Sequence, residues 1–145
     1  MISIKKKKFW YDSLMSKQFV YKVKIYYEDT DAGGVVYYAN YLKYLERARS
    51  EAIYSLGLTN TKLQKDHGSL IIVKSCNIEY KKPAKFEDEL EIISSILSKT
   101  KTSFTMLQII KKNEEIISEA QIKLVTVNQN GKPVKLPEIL DSLLN

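Results

Sequence analysis

The segment YEDTDAGGVVYYANY, residues 27–41, decides the fold of this chain because it joins a strand to a long helix. It carries two carboxylates, Asp29 and Asp31, and the pair Gly33 and Gly34 in the bend. A glycine-rich bend leading into a helix puts unpaired backbone N–H groups beside these carboxylates. That pairing suits acyl transfer, since N–H groups can hold an oxyanion while a carboxylate acts on the carbonyl carbon. An acidic capped turn is the competing interpretation.

Hydrophobic periodicity predicts the two elements that flank this bend. Residues 19–28 alternate between apolar and charged side chains, which is typical of a half-buried strand. Residues 38–56 switch to helical spacing and are followed by Gly57 at the usual position after a helix, which predicts the main, core helix. The predicted inner face of the strand holds Phe19, Tyr21, Val23, Ile25 and Tyr27, and the helix stripe holds Tyr41, Leu45, Ala48, Ala52 and Leu56.

The rest of the chain reads as a short helix, four strands and a final short helix. These cover residues 59–66, then 70–82, 89–98, 102–112 and 116–127, and last 138–144. Short connections predict hairpins, so we expect the four strands to form an antiparallel meander. One helix beside one curled antiparallel sheet covers both apolar surfaces, which predicts an α+β hotdog fold in which the sheet wraps around the long helix.

Charge is spread unevenly along the 145 residues, which suggests one domain over 19–145 behind a basic extension over 1–18. The extension holds net +4 of the total of +6, leaving +2 for the body, so we expect no nucleic-acid partner. The extension is predicted to be a loose tail or a weak peripheral contact with an anionic membrane surface. No run of 18 apolar residues is present, and we expect a cytoplasmic protein without a secretion signal.

The single cysteine and the single histidine give little support to other chemistry. One cysteine excludes an internal disulfide, and Cys76 is expected to be a small buried thiol in a strand. A cysteine nucleophile would need His67, which we expect instead to end the short helix. Ligand spacing for a metal is missing, so no metal and no cofactor are expected.

The segment 27–37, continued by Asn40-Tyr41 and by Glu46-Arg47-Ala48-Arg49, resembles the signature of hotdog acyl-CoA thioesterases of the 4-hydroxybenzoyl-CoA thioesterase superfamily. The similarity covers residues 19–140 and is greatest to the branch associated with the Tol–Pal envelope system. It implies hydrolysis of acyl-CoA to free acid and CoA, with CoA as part of the substrate. It also implies a homodimer or homotetramer with active sites between subunits.

The same resemblance assigns roles to two residues. Asp31 matches the catalytic carboxylate, and the backbone N–H of Tyr38 matches the oxyanion donor. The Tol–Pal branch commonly has His where this chain has Tyr38, so the N–H role is kept while any imidazole role is not. Asp31 could attack the carbonyl directly or act as general base on water, and both routes stay open.

Three further residues are candidates for substrate contacts. Glu46 is predicted to pair with Arg49 one turn on, or, as the resemblance to hotdog thioesterases that use a helix acid implies, to serve as an auxiliary base or as support for the site. Lys99 and Lys101, in one hairpin, are the candidates for the CoA phosphates, because the corresponding hairpin is basic in the benzoyl-CoA relatives. A second basic loop holds Lys81, Lys82 and Lys85.

Two other functions compete with hydrolysis. A hotdog hydratase would use an Asp–His pair, but the only acid adjacent to His67 is Asp66, in a loop. A non-catalytic module that binds acyl thioesters, or a scaffold at the inner membrane face, is the alternative function.

Overall fold

The computed structural model describes residues 17–145, apart from the side chain of Leu143. The basic extension and its predicted membrane contact lie outside the described residues, except for its last two positions. The strands are β1 (Gln18–Lys24), β2 (Leu70–Tyr80), β3 (Glu89–Lys99), β4 (Ser103–Lys112) and β5 (Glu115–Val127). The helices are α1 (Asn40–Ser55), α2 (Asn60–His67) and α3 (Glu138–Leu143). None of the helices in this part of the chain is long and apolar enough to cross a membrane.

The five strands form one antiparallel sheet in the order β1-β3-β4-β5-β2. The β3–β4 and β4–β5 hairpins are confirmed, but the predicted four-strand meander is wrong at β2, which pairs with β5 at the far edge. The reason lies in the connection over residues 81–88, which contacts other elements instead of turning back. Its Lys81 and Lys82 N–H groups donate to the Ile117 carbonyl at 2.9 and 3.1 Å, and Ala84 is completely buried.

The long helix α1 packs its apolar stripe on the concave face of the sheet, which confirms the α+β hotdog arrangement with an open, curled sheet. Its buried side chains are Tyr41, Tyr44, Leu45, Ala48, Ala52 and Ile53. All of these except Ala52 join the sheet residues Leu90, Ile92, Phe104, Ile110 and Ile122 in one core. Each fully buried large apolar side chain is worth about 1.5–3 kcal/mol, so tertiary packing stabilises this helix. Gly57 ends it at a φ of 80°, a conformation that favours glycine.

The first strand is shorter than predicted because the chain turns at its end. Phe19, Tyr21 and Val23 share the half-buried face as expected, and Ile25 is fully buried. Tyr27, predicted on the same face, is instead exposed, since the chain enters a 3-10 turn over Tyr27–Asp29. This turn begins the segment that leads to α1.

The edge strand β2 is the least covered part of the sheet. The register places Val73, Cys76 and Tyr80 on its inner face, opposite residues of β5 that face the core, yet all three are exposed. The prediction of a buried Cys76 thiol is therefore wrong. The physical reason is that α1 approaches β1 and β3 most closely, at the other side of the sheet, so the rim between α1 and β2 is open in a single chain.

Candidate active site

A closed turn orients the Asp31 carboxylate. The Asp31 N–H donates to the Val35 carbonyl at 2.9 Å, and the Gly34 N–H donates to the Asp31 carbonyl at 3.0 Å. The Asp31 Oδ1 atom accepts the Gly33 N–H at 2.8 Å, and a Cβ on Gly33 would come within 3.2 Å of that oxygen. Within residues 17–145, Asp31 Oδ2 accepts no hydrogen bond. The exposed carboxylate is thus oriented through one oxygen and has the other available for a ligand.

The other carboxylate of the motif, Asp29, holds the turn together. Its Oδ2 accepts the Tyr26 N–H at 2.8 Å, and its carbonyl accepts from the Asn40 side-chain amide at 2.9 Å and from the Tyr37 N–H at 3.0 Å. Burial is the main cause that raises the pKa of Tyr44 above its ordinary value, and the nearby Asp29 carboxylate is the second. Asp29 therefore links the turn to α1, which agrees with the capped-turn interpretation for this acid. The bond from the Gly33 N–H gives Asp31 a turn-forming role as well, but uses only its Oδ1 atom.

The approach to α1 presents backbone donors that nothing in residues 17–145 accepts. The N–H groups of Tyr38 and Ala39 donate no hydrogen bond in this part of the chain, whereas the Asn40 N–H donates to the Tyr37 carbonyl at 2.9 Å. The Tyr38 carbonyl accepts the Tyr80 hydroxyl at 3.1 Å, which ties this peptide to β2. Free N–H groups at a helix start carry partial positive charge, so they can stabilise a developing oxyanion.

A cavity of about 250 Å³ lies beside these donors, between the start of α1 and the end of β2. Tyr38, Tyr41 and Tyr80 form one wall, with ring centroids 5.3 Å apart for Tyr41 and Tyr80. The other lining residues are Val36, Lys81, Lys82 and Pro83. Burial raises the pKa of Tyr41 and of Tyr80, so both phenols are neutral hydrogen-bonding groups near pH 7. Asp31 is not among the lining residues, so the cavity borders the Tyr38 end of the segment.

Sequence reasoning missed Tyr80 as a site residue. It is the last residue of β2, and 42 positions separate it from the Tyr38 carbonyl that its hydroxyl contacts. Only the pairing of β2 with β5 brings the end of β2 to the start of α1. The sole sequence signal is an aromatic residue at a strand end, which many strands have.

The two hairpin lysines do not line this cavity. The Lys99 ammonium donates to the Asp141 carboxylate at 3.0 Å, to the Asp141 carbonyl at 3.1 Å and to the side chain of Asn145, so α3 and its end occupy its donors. Lys101 is exposed. Lys81 and Lys82 do border the cavity, where they form ion pairs with Glu119 and Glu115 of β5.

The predicted pair between Glu46 and Arg49 does not form. Glu46 Oε1 accepts the Ser50 hydroxyl at 3.0 Å, and the Arg49 guanidinium donates to Gln108 Oε1 at 2.9 Å. The pairing prediction is wrong because a fully buried amide on β4 offers Arg49 a fixed acceptor. Glu46 lies eight residues beyond Tyr38, about 12 Å at the helical rise, and it does not line the cavity beside Tyr38.

His67 is the last residue of α2, and Gly68 follows in the left-handed region with a φ of 63°, which confirms the predicted helix end. Among residues 17–145, no group of three or more His, Cys, Asp and Glu side chains is arranged to hold a metal ion.

Comparison with known proteins agrees with this geometry. The family model described as thioesterase-like superfamily matches residues 26–144. An acyl-CoA thioesterase YbgC from Haemophilus influenzae is 34% identical over 126 residues, which are 86% of this chain and 93% of the relative. An acyl-CoA thioester hydrolase YbgC from Escherichia coli O6:H1 is 37% identical over 122 residues, 83% of this chain and 90% of the relative.

Solved structures extend the likeness to the whole fold. The crystal structure of a probable thioesterase from Bartonella henselae is 32% identical, with a TM-score of 0.78 over 83% of this chain and 100% of that chain. A second crystal structure, of a protein from Aquifex aeolicus, is 31% identical with a TM-score of 0.82 over 88% and 99% of the two chains. The strand–turn–helix segment with its oriented carboxylate therefore sits in a chain that belongs to the thioesterase-like superfamily.

Proposed function

We propose that this protein hydrolyses acyl-CoA thioesters to free acid and CoA. The observation that carries the proposal is one short segment in which the Asp31 carboxylate is oriented by the Gly33 N–H and the chain then presents the unpaired Tyr38 N–H. Two curated relatives that are named as acyl-CoA hydrolases and match most of the chain support the same activity.

The proposed chemistry can follow either of two routes, and each begins with attack on the thioester carbon. Asp31 Oδ2 attacks the thioester carbon, the C–S bond breaks to release CoA thiolate, and water then hydrolyses the mixed anhydride. Alternatively, Asp31 takes a proton from a water that attacks the same carbon, and CoA thiolate leaves. In both routes the Tyr38 N–H holds the carbonyl oxygen as it gains negative charge. The aromatic cavity beside Tyr38 is the space that we assign to the thioester.

The proposal assigns the CoA phosphates to exposed lysines. Of the two hairpin candidates, Lys101 is the better one, because Lys99 is held by Asp141 and Asn145. Glu46 is assigned to contacts with the acyl group and not to the carbonyl, given its distance from Tyr38. A cytoplasmic location stays a prediction from the pattern of the sequence, and a Tol–Pal-associated role and a homotetramer stay predictions that rest on the sequence resemblance.

The direct test is thiol release by the wild-type protein from acetyl-, butyryl-, palmitoyl- and benzoyl-CoA. We expect turnover of at least one of these with a kcat/KM of about 10⁴ M⁻¹s⁻¹ or more, the lower end of the usual enzyme range. Calorimetric binding of the same thioesters without thiol release would contradict hydrolysis. That result would instead support the non-catalytic binding module at the inner membrane face.

We also propose that two copies pair through the edge strand β2. An unpaired edge strand offers a row of free N–H and C=O groups. The single chain exposes 48% of Val73 and 44% of Tyr80 on this strand, and 46% of Leu42 on α1. A second copy of β2 would pair with this edge and cover the rim that borders the Tyr38 cavity. The resemblance, which implies sites between subunits, supports the same assembly.

A charge on the α1 rim is expected to dissociate this dimer. Wild-type protein should sediment at twice its chain mass of 16.8 kDa or at a larger multiple, and Leu42→Glu should shift it to a single chain, because a buried unpaired carboxylate is strongly disfavoured. The matched control is Val20→Glu, which changes an exposed valine on the opposite edge strand. Wild-type protein at a single chain mass, or equal dissociation of both variants, would contradict pairing through β2.

A further inference from the structure

A second cavity lies further along α1, between the middle of the helix and the inner face of the sheet, with a volume of about 130 Å³. Its apolar wall is formed by Ile53, Ile71, Phe104, Met106 and Leu124. Glu46, Arg49 and Ser50 line its polar side. Glu46, Arg49 and Ile53 lie on the same side of α1 as Leu42, and the stripe they form points back towards Tyr38. The two cavities share no lining residue, and the exposed Leu42 lies on this side of α1 between Glu46 and the helix start.

The Arg49 guanidinium is held in this cavity wall from inside the protein. It donates to Gln108 Oε1 at 2.9 Å, and Gln108 is completely buried. The Gln108 amide nitrogen donates to the Leu45 carbonyl at 3.0 Å and to the Ser94 hydroxyl at 2.9 Å. Because both amide hydrogens are bonded, the amide cannot rotate without losing them. Gln108 therefore presents its oxygen to Arg49 in one orientation.

Arg49 has donors to spare and no ionic partner. A guanidinium carries five N–H donors, of which one makes a hydrogen bond in residues 17–145. No carboxylate in that part of the chain forms an ion pair with it, although the charge of Glu46 acts on it. Burial lowers the pKa of Arg49 below its ordinary value, and the group stays charged near pH 7. A half-buried cation with free donors is stabilised by an oxygen acceptor.

We propose that this cavity binds the distal end of the acyl group and that Arg49 and Glu46 recognise a hydroxyl group there. This inference rests on the proposed function. The ligand hydroxyl oxygen accepts an N–H of Arg49, and its hydrogen is donated to the Glu46 carboxylate. The apolar residues on the opposite wall contact the methylene groups that precede the hydroxyl. The substrates favoured by this cavity are ω-hydroxyacyl thioesters.

Charge disfavours a carboxylate or a purely apolar group at the distal end of the acyl chain, and the size of the cavity limits the length of that end. A carboxylate would be attracted by Arg49 and repelled by Glu46, whereas a neutral hydroxyl satisfies both groups. A purely apolar end would cover the free Arg49 donors without bonding them, which is unfavourable. An apolar cavity of about 150 Å³ holds one benzene ring, so this cavity takes about six non-hydrogen atoms. A chain that spans the roughly 12 Å from Tyr38 to Glu46 needs about ten bonds at ~1.2 Å per bond.

The test compares decanoyl-CoA with 10-hydroxydecanoyl-CoA. Wild-type protein is expected to favour the hydroxylated thioester by about tenfold in kcat/KM, because the analogue without the hydroxyl leaves polar groups unpaired. Arg49→Met should bring this ratio to about one, and Glu46→Leu, a change at an exposed position, should lower it at least about threefold. Arg47→Met, which changes an exposed arginine two residues away, is the matched control and should leave both rates unchanged.

Calorimetry on Asp31→Asn measures the dissociation constants of decanoyl-CoA and 10-hydroxydecanoyl-CoA. The ratio of the two constants gives the binding preference without any turnover. A tenfold binding preference in Asp31→Asn that disappears in Arg49→Met/Asp31→Asn supports the inference, whether or not wild-type protein hydrolyses the thioesters. A lack of hydrolysis by wild-type protein would overturn only the proposed hydrolysis. Equal dissociation constants for the two thioesters would overturn the inference. Hydrolysis of butyryl-CoA by wild-type protein would still leave the proposed function in place. A ratio that Arg49→Met and Glu46→Leu both leave unchanged also overturns it.

Discussion

Replacing Asp31 by asparagine is expected to lower kcat/KM for butyryl-CoA by at least about 100-fold, or about 2.7 kcal/mol of barrier. Asparagine keeps an oxygen that can accept the Gly33 N–H at the position of Oδ1, so the turn should persist. It has no anionic oxygen to attack the thioester carbon or to take a proton from water. The loss should therefore appear in kcat, with the unfolding temperature of the protein little changed.

The matched control for this variant is Asp66→Asn, which neutralises an exposed acid in α2. Its rate should equal that of wild type, since a change of one surface charge is mostly screened by salt. Thiol release measured side by side for the three proteins gives the answer. Equal rates for wild type and Asp31→Asn would remove Asp31 from the mechanism, whichever chemical route it was assigned.

Replacing Tyr38 by proline is expected to lower kcat by about 10²–10³, the usual cost of removing one oxyanion donor. Proline has no backbone N–H, and the Tyr38 N–H makes no hydrogen bond in residues 17–145, so the fold loses no such bond. Proline is also tolerated just before and at the first helical positions, and α1 begins two residues later, at Asn40. Stopped-flow thiol release under saturating substrate measures this loss directly.

Tyr38→Phe is the control for the side-chain hydroxyl. This variant keeps the N–H and the ring and loses only the exposed hydroxyl, so it should lose less than about tenfold. Circular dichroism on both variants checks that α1 is intact. A Tyr38→Pro protein with a native spectrum and a rate like that of Tyr38→Phe would show that the oxyanion is held elsewhere.

The amino-acid sequence by itself determined the element types and the local site geometry. Helical spacing over residues 38–56 and alternation over residues 19–28 reflect which side of an element faces apolar surroundings, and this needs no knowledge of the partner element. The bend also follows local rules, since Asp31 bonds an N–H two residues away and Gly57 adopts a conformation that favours glycine. For these features the interacting groups are near neighbours in the chain.

Only the tertiary structure decided the features that join distant residues. It moved β2 from the predicted meander to the β5 edge, which exposed Cys76 and brought the Tyr80 hydroxyl to the Tyr38 carbonyl. It also gave Arg49 a buried amide 59 residues away in place of Glu46. The physical reason is that strand order and side-chain pairing depend on which buried polar groups need partners once distant elements have packed together. The spacing of residues along the chain does not indicate those partners.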